Sequence, residues 1–125
     1  MSAADDLQAR TDAFAVLSVK FVEGLPDTPR IRRLAGQYQD ASTSVGANYR
    51  AARRAKSRAD FASKIGTVSE EADESVYWLL LMKNNNITSA LVDIDVLLKE
   101  ADELARIFGA SHRTAKRRNH RDKHQ

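Results

Sequence analysis

The residues able to do acid–base or metal chemistry are unevenly placed along the chain. Histidine occurs only at 112, 120 and 124, and carboxylates gather at Glu70, Glu71 and Glu74 and again at Asp93 and Asp95. A di-iron site in a helical bundle combines Glu with Glu-x-x-His on facing helices. With no histidine upstream of His112, that donor set is missing. His120 and His124 are four apart and would share a helix face, but in a segment dense with cations. Arg106-(x5)-His112 and Arg118-(x5)-His124 match the arginine–histidine spacing of small helical ribonucleases. Ile107 follows the first arginine, where a polar residue is wanted, and the second pair lies in the charged terminus. The absence of cysteine removes thiolate zinc sites and cysteine nucleophiles. Neither a Gly-rich phosphate loop nor a serine-nucleophile motif occurs. The reading is a protein with no catalytic residue, no metal, no cofactor and no small-molecule substrate, with a helical ribonuclease as the enzymatic alternative.

Cations are what the sequence does concentrate. The stretch "TSVGANYRAARRAKSRADF", residues 43–61, carries Arg50, Arg53, Arg54, Lys56 and Arg58 before its single carboxylate, Asp60. A second run holds Arg113, Lys116, Arg117, Arg118, Arg121 and Lys123 against Asp122 alone. The net charge of +3 therefore hides an asymmetry, because residues 1–110 carry fourteen basic and sixteen acidic groups. A near-neutral body with a basic end suits a polyanionic partner such as RNA. The competing reading is a solubilising tail whose charges complement a helix dipole. No aromatic residue alternates with the cations, so a base-stacking platform is not expected, and any nucleic-acid contact should be to the backbone.

These charges must be positioned by helices. Leu7, Phe14, Leu17 and Phe21, with Ala13 and Val22, recur near helical spacing. Ile31, Leu34, Tyr38, Ala41, Val45, Asn48 and Ala52 step by threes and fours, as do Phe61, Ile65, Val68, Ala72, Ser75, Leu79 and Met82. Ile87, Leu91, Ile94, Leu98, Ala101, Ala105 and Phe108 keep the same rhythm. "GLPDTPR" reads as a loop in which Thr28 caps a helix starting at Pro29. Ser57 with Asp60 resembles a capping box, and Asn84–Asn86 reads as a turn. The expectation is an all-α, antiparallel up-down-up-down four-helix bundle, residues 1–117, with helices near 5–23, 29–55, 58–84 and 87–117, and a disordered basic tail at 118–125. In that topology the end of the second helix, the start of the third and the end of the fourth share one pole. The two cationic runs would then meet.

"SVYWLLLM", residues 75–82, is apolar almost all round, more than one buried stripe requires. Tyr77, Trp78, Leu80 and Leu81 are therefore expected to form an interface between copies of the chain. Asn48 and Arg50 could link to Glu71 or Glu74 as a polar tie between helices. The N-terminus "MSAADDLQAR" has no signal-peptide apolar run, and no stretch reaches the length of a membrane span, so a cytoplasmic protein is expected.

The segment "QYQDASTSVGANYRAARRAKSRADFASKI", followed by "EEADESVYWLLLM", resembles the 23S rRNA-intervening-sequence proteins. The matching positions are Gln37, Thr43, Ser44, Val45, Ala47, Asn48, Tyr49 and Arg50, then Glu71, Ala72, Glu74, Tyr77, Trp78 and Leu79. The closing "LARIFGASHRTAK" looks like the family's last helix, so the similarity spans roughly residues 30–117. The resemblance implies four-helix bundles, several of them homopentamers. A related branch, the accessory proteins of diversity-generating retroelements, implies a reverse transcriptase and RNA as partners. A protein-binding oligomeric adaptor is the remaining alternative.

Overall fold

A computed structural model describes residues 1–88 and 91–124, and for Leu91 and Val92 the backbone alone. The described residues form four helices and no strand: α1 Ala3–Glu23, α2 Pro29–Arg53, α3 Arg58–Asn84 and α4 Leu91–Lys123. The boundaries follow from local chemistry. Ser2 and Asp5 cap α1 reciprocally, each side chain accepting from the other's backbone N–H. Thr28 accepts from the Ile31 N–H, and Pro29 follows at the first helical position, where its missing donor costs nothing. Ser57 caps α3 by accepting from Asp60, but the return bond goes elsewhere: the Asp60 carboxylate accepts from the Lys56 N–H. After α3, Asn86 takes a left-handed conformation (φ 52°), which asparagine tolerates better than most residues.

Each helix packs on its neighbours in sequence, and α1 meets α4 to close the ring. Rising residue numbers on one helix meet falling numbers on the next. Asp5, Gln8 and Ser18 of α1 contact Arg53, Gly46 and Tyr38 of α2. Arg58, Gly66 and Lys83 of α3 meet Asp122, His112 and Asp95 of α4. The core runs between them through Phe14, Tyr38, Val45, Ile65, Val68, Leu79, Met82, Ile94, Leu104 and Phe108. No helix among the described residues is long and apolar enough to cross a membrane.

Three inner faces differ from the sequence expectation. On α1, Leu17 is 51% exposed, and Thr11 and Ser18 are fully buried instead. Their hydroxyls are satisfied, Thr11 donating to the Gln8 carbonyl and Ser18 bonding the Tyr38 hydroxyl at 2.6 Å. On α2 the buried residue is Tyr49, with Asn48 half-buried beside it. On α4, Leu97 and Leu104 occupy the core, while Leu98 and Ala105 lie at its margin. The fourth helix is expected from Ile87, but Ile87 and Thr88 are not helical; Ser89 and Ala90 lie outside the described residues, and α4 is described from Leu91. The segment expected to be a disordered tail is helical to Lys123. Ala115 is buried, and Asp122 pairs with Arg58.

Candidate nucleic-acid interface

The two cationic segments meet at one end of the molecule. Arg50, Arg53 and Arg54 close α2, Lys56 sits in the corner, and Arg58 opens α3. Across from them run the final turns of α4. The tie is an ion pair from Arg58 Nη1 to Asp122 Oδ1, 3.1 Å long. Arg118 of α4 lines the same groove as Arg53, Lys56 and Arg58.

The cations divide into three adjoining surfaces. Arg53, Lys56, Arg58 and Arg118 rim a groove of ≈ 740 Å³ between the α2–α3 corner and α4. Arg113, Lys116, Arg117 and Arg121, with His120, make a stripe on the outer side of α4. Arg50 and Arg54, together with Arg53, edge a depression against Gln8 and Asp12 of α1. Lys123 stands exposed at the last turn. Arg53 and Arg58 are neutralised by Asp5 (2.6 Å) and Asp122. The Arg53 hydrogen bond, with help from Ser2, holds the Asp5 carboxyl below its ordinary value. Asp60 is held low chiefly by Lys64 and by the Lys56 backbone. Among the described residues, the other nine cations of the two segments form no ion pair.

One feature of this end escaped the sequence reading. Phe61, on the first turns of α3, is half-buried and lines the groove among the basic side chains. The expectation that no aromatic lies among the cations is therefore corrected. The one signal was its position three residues after Arg58, a single helical turn away.

Among the described residues, neither Asn48 nor Arg50 hydrogen-bonds or pairs with Glu71 or Glu74. The Asn48 amide donates to the Ser44 carbonyl of its own helix. Burial, followed by the charges of Glu74, Glu70 and Asp40, raises the Glu71 carboxyl above its ordinary value. If Asp40 is level with Glu71, Arg50 lies ten residues further along α2, about 15 Å away at 1.5 Å per residue. The register places Arg50 and Asn48 beside the start of α3 rather than beside Glu71 and Glu74.

The other residues of chemical interest do not assemble. Arg106 pairs with Asp102, while His112 lies with its ring against Gly66 of α3. His120 and His124 have ring centroids 4.3 Å apart. Among the described residues, no three His, Cys, Asp or Glu groups come together as a metal-ligand set.

The apolar surface of α3 is partly uncovered. Tyr77 is 58% and Leu80 44% exposed, whereas Trp78 and Leu81 are half-buried. Leu17 and Val96 are also exposed and line a shared depression between α1 and α4, with Val16 exposed next to Leu17 in the chain, an apolar surface not anticipated from the sequence.

The fold and its charged end define a class: an all-helical four-helix protein whose cations gather where three helix termini meet. The sequence pattern of the 23S rRNA-intervening sequence protein family matches residues 6–110, and the chain belongs to that family. It is also similar to the crystal structure of a protein of unknown function from the S23 ribosomal protein family of Bacteroides thetaiotaomicron VPI-5482. That likeness has a TM-score of 0.79 and 25% identity, covering 90% of this chain and 99% of the other. No curated relative matches the chain.

Proposed function

We propose that the protein is a non-catalytic, cytoplasmic homo-oligomer, an antiparallel up-down-up-down bundle that binds RNA through its cationic end. The observation carrying this reading is the meeting of the α2–α3 corner with the end of α4 across the Arg58–Asp122 pair. It joins charges 64 positions apart into one surface. Nine unpaired cations would displace counterions from a phosphate backbone without reading its sequence. The opposed order of contact pairs along α1–α2 and α3–α4 supports the antiparallel arrangement.

Self-association uses the exposed Tyr77–Leu80 face of α3. The Val16, Leu17 and Val96 patch lies in the same half of the molecule, away from the cations, and would accept that face from a neighbouring copy. Unlike patches at one height generate a closed ring if the rotation closes. A pentamer, suggested by the family resemblance, repeats the cationic end around the ring, and a reverse transcriptase that handles RNA is a partner of the same chemistry.

Fluorescence anisotropy with an unstructured RNA tests the binding. Affinity should fall about a thousandfold between ~50 and ~200 mM salt. Weak, salt-independent binding would reject it in favour of a protein-binding adaptor. Light scattering of the Leu80→Glu variant tests the ring, which should give way to monomers.

A further inference from the structure

We propose that the groove between the α2–α3 corner and α4 is a subsite for one unpaired nucleobase of the bound RNA. This rests on the RNA-binding reading and deepens it. The floor is apolar, made by the methyls of Ala52 and Ala115 and by the Phe61 ring, the one aromatic side chain lining the groove. The rim is cationic, with Lys56 and Arg118 on opposite walls and no ion pair on either among the described residues. A nucleotide has that polarity: a flat apolar face on one side and phosphates on the flanks. Stacking on an aromatic ring is sequence-tolerant because every base offers a π-face.

Ser111 and Thr114 of α4 also line the groove. The Ser111 hydroxyl donates to the Ile107 carbonyl, and the Thr114 hydroxyl accepts from Arg117, so each keeps lone-pair capacity for a base-edge donor. The cations do not stop at the groove but continue on the outer side of α4 through Arg117, Lys116 and Arg113. That continuation fits a chain with a charge on every residue better than a short acidic peptide held by a few anchors. A-form duplex RNA keeps its bases stacked inside, so the subsite selects unpaired RNA.

The full chain is titrated at fixed salt with a short oligoadenylate, with an abasic ribose-phosphate oligomer of equal length, and with a duplex of that length. The oligoadenylate should bind about tenfold more tightly than the abasic oligomer, the gain expected of one stacked base. Phe61→Leu, which keeps the floor apolar, should abolish the base preference, with far-UV circular dichroism and the melting transition checking that the variant is folded. The duplex, whose bases stay stacked inside, should bind Phe61→Leu and the native chain equally well. Equal affinity for the oligoadenylate and the abasic strand would overturn the subsite and leave the polyanion reading standing. No binding to any strand would overturn both. Tight binding of an acidic, leucine-bearing peptide, weakened by Phe61→Leu and with no base preference, would assign the groove to a protein and overturn the proposal.

Discussion

Arg58, on the first turn of α3, and Asp122, on the last turn of α4, form an ion pair whose Nη1–Oδ1 distance is 3.1 Å. The pair fixes the end of the longest helix against the corner of the bundle, and it places eleven cations from two distant segments on one end. Both side chains are substantially exposed, so its share of stability is small. Its importance is positional.

Asp122→Asn should therefore destabilise the protein by only about 0.5 kcal/mol. Hydrogen exchange of the 118–123 amides should accelerate, because the last turns of α4 lose their tie. RNA affinity should rise, since Arg58 is released and an opposing charge removed. Unchanged exchange at 118–123 would show that Ala115 packing alone holds the helix end.

Gly66 of α3 lies against the His112 ring of α4. A Cβ there would lie 2.8 Å from His112 Nε2. Gly66→Ala should cost about 1 kcal/mol, the overpacking penalty less the gain in helix propensity. In a His112→Ala background the same substitution meets no ring. It should then stabilise by up to about 1 kcal/mol. Denaturant melts of the four proteins read the reversal of sign.

Ser18 and Tyr38 share a 2.6 Å hydrogen bond in the core, and both are fully buried. Burial pushes the Tyr38 phenol well above its ordinary value, and the bonds to Ser18 and Ser42 only partly offset this. Ser18→Ala leaves the phenol short of a partner and should cost about 1–3 kcal/mol. Adding Tyr38→Phe removes the hydroxyl that has lost its Ser18 partner, so the double variant should recover part of that loss. Thermal melts check both.

Glu71 has a raised carboxyl, caused first by burial and then by Glu74, Glu70 and Asp40. The folded state therefore holds its proton more tightly than the unfolded chain does. Ionised Glu71 costs stability above its folded value, and the cost disappears as pH falls through that value toward the ordinary 4.5. Glu71→Gln should stabilise the protein at neutral pH by a few tenths of a kcal/mol, Glu71 being largely solvated. The advantage should vanish below the ordinary carboxylate range. Asp40→Asn should lower the Glu71 value toward normal, which carboxyl NMR titration reads.

Much of the fold was legible because its signals are local. Thr28-Pro29, Ser57 and the asparagine run mark helix ends by backbone chemistry confined to a few residues. The inner face of α3, from Ile65 through Met82, follows from apolar spacing alone. The inner face of α1 did not, because Thr11 and Ser18 are polar and become burial-competent only through partners such as Tyr38. On α4 two adjacent leucines, Leu97 and Leu98, left the phase of the stripe undetermined until α3 packed against it. The end of α4 makes a contact with a residue 64 positions away, beyond any local pattern. The cationic end was legible because alternating helices bring their termini together; the place of Phe61 within it was not, since that depends on how α4 lies across the corner.

The central claim is that two cationic segments act as one surface on RNA, and the salt dependence of binding tests it most directly. The slope of log K against log salt is measured for the native chain, for Arg54→Gln/Lys56→Gln, for Arg117→Gln/Arg118→Gln and for the four changes together. Each cation removed should lower the slope by about 1, whichever segment carries it. A slope that responds to one pair and ignores the other would contradict the account.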